Sequence, residues 1–298
     1  MIIKFGSRIG SGHCPLFYFV DFVICLKYNY SVILYNSGSI GMITEIISSS
    51  NNLFKNTKKL LNSQERKKVK KFIVEGYRIV SDAVRHKADI DYIVVSSDYS
   101  NTTFEDKYKV YRMDKKLFSQ ISDTVNSQGI IAVVNYPQNV NPEYKNLESI
   151  VYLDGVSDPG NMGTILRTCD AMGVDAVIVS KGCVDIYNPK VVRSTMASLF
   201  NVPVVYDTNE DMLDELKENG YTVVGTILDG SDTIFNCDLT QKTVIVMGNE
   251  ANGISEKVRN KCDVRIRIPM TGGAESLNVA VCCSMVLYER MRQKVKEA

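Results

Sequence analysis

A chain of 298 residues, 45% hydrophobic and 23% charged, is long enough for two domains of ordinary size and has the balance of a soluble globular protein, which excludes collagen-like and low-complexity classes. The formal net charge of +1 does not advertise a nucleic-acid partner, so such a partner has to be argued from local charge. With only His13 and His86, and eight cysteines that include no CxxC pair or zinc spacing, histidine acid–base chemistry and a metal site are not expected.

Residues 1–41 differ in character from the rest of the chain. The 16–26 stretch is apolar and aromatic, yet Asp21 interrupts it and it is too short to span a bilayer. Lys4 and Arg8 precede it as in a signal peptide, but no small-residue cleavage site comes after it. The plainer expectation is a leader upstream of the true start, with Met42 as first residue. Cysteines inside apolar runs, such as Cys282 and Cys283, act as small hydrophobes and suit a reducing compartment, so no membrane and a cytoplasmic location are expected.

Residues 42–137 carry a compact α/β pattern. A helix is predicted over 43–61, followed by a strand at 72–75, a helix at 77–86, a strand at 92–96, a helix at 117–121 and a strand at 130–134. Between the first two lies a basic run, Lys55, Lys58, Lys59, Arg66, Lys67, Lys68, Lys70 and Lys71, opposed by Glu65 alone. Such a cluster suits phosphate contacts, and it equally suits a solvated helix face. The stretch from Pro137 to Pro142 marks a linker, taken as residues 138–148. From 149 to 298, apolar strands at 150–153, 176–179, 202–205, 222–226 and 244–247 alternate with helices. That is the pattern of a mostly parallel sheet covered on both faces, whose ligands bind beyond the carboxyl ends of the strands.

Three loops hold the unusual residues. The first runs from Asp154 to Gly163 into a helix whose buried stripe is Met162, Ile165, Leu166, Cys169 and Met172; Asn161 is its natural cap. Arg167 falls off the stripe, where a surface pair with Asp170 would explain it. The second is Gly248-Asn-Glu-Ala-Asn-Gly253, directly after a strand. It fits a loop wrapped around a small ligand, with Glu250 projecting oxygen into it, or an ordinary turn; it is neither a dinucleotide fingerprint nor a P-loop. The third is Ile268-Pro-Met-Thr-Gly-Gly-Ala-Glu-Ser-Leu-Asn-Val-Ala-Val281, entering a helix apolar nearly all round. A buried start is expected for that helix, so that Asn278 must find partners; Ser276 can be a cap.

Taken together, N-x-G-x-x-x-R from Asn161 to Arg167, GNEANG and IPMTGGAESLNVAV resemble, in order and spacing, the SpoU (TrmH-type) branch of the SPOUT RNA methyltransferases. The preceding FIVEGYRIVSDA (Phe72 to Ala83) resembles the L30e-like RNA-binding module. The resemblance spans about 42–298 and leaves the leader without a counterpart. It implies an α/β SPOUT domain with a deep trefoil knot, usually a homodimer with the site near the interface. The cofactor it implies is S-adenosylmethionine at Gly248, Ile268 and Leu277, with Thr226 and Asn249. Arg167 matches the catalytic arginine, and Asn161, Glu250, Ser276 and Asn278 would position the reacting groups. The basic run, Lys67, Lys68, Lys70 and Lys71 above all, would hold RNA. The implied reaction is 2′-O-methylation of ribose, in 23S ribosomal RNA by analogy with the N-terminal module. Transfer RNA as substrate, or a non-catalytic RNA-binding protein of the same fold, are the alternatives.

Overall fold

The computed structural model describes residues 44–137, 142–209, 211–229 and 232–297, with two short leader strands, β1 (Val20–Ile24) and β2 (Ile33–Asn36). These two pair antiparallel with each other, forming a sheet of their own. The rest of the leader, Met42 included, lies outside the described residues.

The first large sheet is built from β3 (Thr44–Ile46), β4 (Lys71–Glu75), β5 (Ile90–Ser96), β6 (Val110–Met113) and β7 (Ile130–Asn135) in the order β3-β6-β5-β7-β4. Around it lie α1 (Asn52–Lys59), α2 (Ser63–Val69), α3 (Tyr77–Arg85) and α4 (Lys115–Phe118). The helix expected over 43–61 is therefore divided. Ile43, Ile46 and Ile47 mimic helical spacing, but Thr44–Ile46 pairs parallel with β6, and the helix starts only after the Asn51 side chain accepts from Leu53 N. β-branched residues favour the pleated alternative. Strand β6 was not expected, because four residues carrying an arginine give little apolar signal.

The second sheet is all parallel, in the order β10-β9-β8-β13-β11-β14-β12. Its strands are β8 (Ser149–Leu153), β9 (Ala176–Ser180), β10 (Val204–Asp207), β11 (Thr222–Thr226), β12 (Asp232–Thr233), β13 (Thr243–Met247) and β14 (Val264–Arg267). The helices are α5 (Pro159–Ala171), α6 (Pro189–Ser194), α7 (Met212–Glu218), α8 (Glu256–Arg259) and α9 (Val279–Glu297). Every residue of β8, β9 and β13 is buried, as continuous apolar runs covered on both faces must be. Expected strands fall here within one or two residues; β12 and β14 are additions, β14 being masked in the sequence by Arg265 and Arg267.

The two sheets share one hydrophobic cluster rather than standing apart. Phe72 of β4 packs on Tyr187 with ring centroids 4.6 Å apart, and Tyr136 stacks on the same ring at 3.9 Å. Beside them the Arg66 guanidinium bonds Asp185 Oδ2 at 2.6 and 3.1 Å, with both side chains almost fully buried. Arg66 also donates to the carbonyls of Leu60 and Leu61. This arginine belongs to the basic run in sequence but not in space. The 138–148 segment likewise is more than a spacer, since Tyr144 is buried in the second core.

Candidate active site

The carboxyl ends of β11, β13 and β14 open on one cavity of about 620 Å³, within the usual range for a small-molecule site. All three unusual loops reach it. Its walls include Thr226, Gly248, Asn249, Ile268 and Leu277, all five positions expected to meet a cofactor, together with Asn161, Glu250, Ser276 and Asn278.

The polar frame depends on how α5 begins. Asp158, not Asn161, caps the helix: its Oδ1 accepts from Asn161 N at 2.8 Å, and Pro159 takes the first helical position, where a missing N–H costs nothing. Asn161 is thereby released from capping. Its Nδ2 donates to Glu250 Oε1 at 3.0 Å, and its Oδ1 accepts from Asn278 Nδ2 at 2.8 Å. Asn278 in turn caps α9, its Oδ1 accepting from Ala280 N and Val281 N at 2.9 and 3.2 Å. Val279 and Ala280 are buried, as expected of the start of α9, but residues 271–278 before it are exposed, so Asn278 is not buried with it. Asn278 is fixed by capping and by Asn161 rather than by burial, because the glycines before it hold the loop open to solvent. Ser276, offered as a cap, makes no such bond among the described residues.

Glu250 is the anchor of the frame. Besides Asn161, it accepts from Ser157 N and Oγ at 3.1 and 3.0 Å and from Asp158 N at 3.0 Å. Partial burial would raise its carboxyl, but the bonds from Asn161, Asp158 and Ser157 outweigh that and hold it down at about 2. It is therefore a charged strap between the first and second loops and carries no exchangeable proton near neutrality.

Close backbone approach shapes the second loop. A Cβ on Gly248 would lie 2.2 Å from the Gly253 carbonyl carbon and 2.3 Å from Ile254 N, so any side chain there displaces backbone. Asn249 bonds Gly155 O through Nδ2 and receives Ala251 N and Asn252 N on Oδ1. Its side chain is thus spent on the loop, and its backbone pairs with Gly253, N–H to carbonyl in both directions at 2.9 Å, which closes the loop on itself. The Thr226 hydroxyl is similarly committed, donating to Val246 O at 2.8 Å. Asp154 is a buried organiser that sequence reasoning misses; it accepts from Ser255 N at 2.7 Å and Ser180 Oγ at 3.4 Å. Its only signal is an Asp-Gly pair closing a buried strand, and Asp158, three residues before Asn161, is missed likewise.

Arg167 does not line the cavity. Six residues after Asn161 it stands roughly 9 Å further along the helix axis. It is exposed and makes no ion pair among the described residues; the pairing with Asp170 does not form, because Asp170 accepts from Asn201 Nδ2 at 3.0 and 3.2 Å. Of the four expected RNA-binding lysines, Lys67 and Lys68 are exposed on α2, and Lys70, its left-handed cap, stands 5.7 Å over the Tyr136 ring. Lys71 pairs with Asp91 at 2.6 Å and is the weakest candidate of the set.

Comparison with known proteins matches this frame. The SpoU rRNA Methylase family model covers residues 148–288, and an MRM3-like substrate binding domain covers 51–132. The chain is 33% identical over 245 residues to the 23S rRNA (guanosine(2553)-2′-O)-methyltransferase RlmP of Bacillus subtilis, spanning 82% of this chain and 98% of that one. The chain belongs to the SpoU methyltransferase family. Among solved structures, the SpoU methyltransferase AviRb from Streptomyces viridochromogenes with its cofactor AdoMet has a TM-score of 0.75 at 30% identity, over 82% of this chain and 98% of that one. An AdoMet-bound rRNA methyltransferase from Sinorhizobium meliloti has a TM-score of 0.75 at 28% identity, over 84% and 98%. In this SpoU chain, then, α5 and its two facing loops are the elements on which the chemistry has to be argued.

Proposed function

We propose that this SpoU-family chain is an enzyme that transfers a methyl group from S-adenosylmethionine to a ribose 2′-hydroxyl of 23S-type ribosomal RNA. The observation that carries the reading is the Glu250–Asn161–Asn278 run, which ties the three family loops around a cavity of nucleoside size. S-adenosylmethionine supplies an electrophilic methyl when bound. Gly248, Ile268 and Leu277 would hold it, with Thr226 and Asn249, since these residues wall the cavity and Gly248 leaves its backbone bare. Asn161, Ser276 and Asn278 stand at the same cavity and would orient the ribose; Glu250 is a positioning residue. The Arg167 guanidinium, a fork of donors without an acceptor, would act by gripping phosphate and aligning the hydroxyl.

Because Arg167 lies outside the cavity of its own chain, the reading includes a homodimer that brings it to a site. Support comes from α9, where Val281, Met285 and Tyr288 leave an exposed apolar stripe, 49%, 44% and 57% accessible, beside Met172 at the C-terminal cap of α5. The reading further takes 42–137 as the RNA-binding unit, 138–148 as its connection and 149–298 as the catalytic unit, threaded as the family's trefoil knot. It places the enzyme in the cytoplasm, where ribosomal RNA is available; six cysteines of the described residues are free thiols, and no described helix is long and apolar enough to cross a membrane. Mapping 2′-O-methyl groups in RNA from cells with and without the gene tests the reading. A single ribosomal ribose losing its methyl supports it, and an unchanged map contradicts it.

A further inference from the structure

Resting on that reading, we propose that the cavity between the two sheets is a second RNA site, taking one unpaired nucleotide a few positions from the methylated one. This cavity, about 340 Å³, is walled by Arg78 of α3, by Asn126 and Gln128 of the loop before β7, and by Arg193 of α6 with Met196 just after it. It is separate from the cofactor cavity and shares no lining residue with it.

Three features give the space its chemistry. The loop from Ser122 to Gly129 is held by one carboxylate: Glu75 accepts from the hydroxyls of Ser122, Thr124 and Ser127 and from Asp123 N. That clamp fixes an otherwise irregular loop, and it consumes the charge of Glu75. Gln128 Oε1 accepts from Tyr77 N at 2.7 Å, an approach allowed because Gly76 turns at φ +105°; a Cβ there would lie 3.1 Å from the same oxygen. The other acids are engaged as well, Asp82 with Arg85 at 2.8 Å and Asp123 with Arg193 at 2.6 Å. Arg78 and Asn126 are exposed and make no hydrogen bond or ion pair among the described residues. A free guanidinium and a free amide therefore stand at the rim, above an apolar floor of buried Ile79 and 42%-exposed Met196. An unstacked base has that complement: apolar faces, hydrogen-bonding edges and an adjoining phosphate.

Position supplies the link to the reaction. Gly163, in the first turns of α5, lies so close to α6 that an added Cβ would sit 2.3 Å from Ser194 Cβ and 2.9 Å from Val191 O. Arg193, next to Ser194, lines the second cavity, while Asn161, two residues before Gly163, lines the first. The two spaces are thus separated by about one helix diameter, roughly 10 Å, which a few nucleotides of extended single strand cover. The Arg66–Asp185 bond and the Tyr136–Tyr187 stack hold both walls at that spacing.

The test uses the full chain with a protein-free transcript of 23S-type ribosomal RNA and S-adenosylmethionine. Arg78→Ala combined with Asn126→Ala should weaken RNA binding about tenfold, and Arg78→Ala alone should lower the salt slope by about 0.7. Arg78→Glu should weaken binding further by placing a negative charge against phosphate. Melting temperature should be unchanged, and cofactor affinity and the single-turnover rate at saturating RNA should stay within twofold, since none of these residues touches the first cavity. Wild-type affinity and salt slope in all variants would overturn the inference. So would normal affinity for free RNA with lost activity only on protein-containing particles, which would assign the cavity to a protein. A wild-type chain that neither binds nor methylates the transcript refutes the functional reading itself, and this inference with it.

Discussion

The two faces of α5 differ in how much of their chemistry is already satisfied. At its N-terminal end every polar side chain that matters is tied: Asp158 to the helix, Asn161 to Glu250 and Asn278, Glu250 to four donors. Two turns later Arg167 stands exposed beside an uncovered apolar stripe of α9. The first face is a preorganised receptacle, in which the cost of ordering is met by folding. The second leaves a guanidinium and an apolar stripe exposed, where the proposed reading puts RNA phosphate and a second copy of the chain. On that reading the small ligand should bind independently of the large one.

Substitutions can break that comparison at different strengths. The largest expected effect lies outside it, at the support for both faces. Arg66→Ala leaves Asp185 buried and unpaired and should cost about 3–5 kcal/mol of stability, read as a denaturation midpoint. A loss below ~1 kcal/mol would mean that the sheets are docked by their aromatic contacts alone. Next is Arg167→Ala, expected to leave fold and cofactor affinity intact while single-turnover methylation falls at least ~100-fold. Arg167→Lys should rescue little, because lysine lacks the planar fork. Near-normal turnover in Arg167→Ala would remove its catalytic assignment.

Gly248→Ala should weaken S-adenosylmethionine binding about tenfold or more by calorimetry, since its Cβ meets backbone rather than a movable side chain. Unchanged affinity would show that the second loop is free to open. The smallest effect is expected at Glu250. Its carboxyl is held at about 2 in the folded chain, below the ordinary range near 4.3. A depressed folded value means that its contribution is fully present above the unfolded value and fades as pH falls through that range toward about 2. Glu250→Gln should therefore cost about 1 kcal/mol, discounted for its exposure, and by the same amount at every pH from 6 to 9. A loss that varied across that window would assign Glu250 a titrating role.

The second sheet was legible because its strands are buried on both faces, and continuous Val and Ile runs such as Ala176–Ser180 have few other uses. Strands β6 and β14 were not, since each interleaves arginine with short apolar stretches, and only their neighbours make them strands. The members of the polar frame were readable one by one from the motif order. Their wiring was not: that Asp158 rather than Asn161 caps α5 depends on Pro159 and on Glu250 arriving 89 residues later to claim the asparagine. Arg66 shows the same limit from the other side. Its charge places it among Lys67 and Lys68, and only the arrival of Asp185, 119 residues on, takes it into the core.

The most direct test of the central claim is to incubate the purified full chain with methyl-labelled S-adenosylmethionine and unmodified 23S-type ribosomal RNA, then digest the RNA to nucleosides. The expected result is label in one 2′-O-methylnucleoside, abolished by Arg167→Ala and reduced in step with cofactor affinity by Gly248→Ala. Label on a base, or none despite measured binding of both cofactor and RNA, would contradict it.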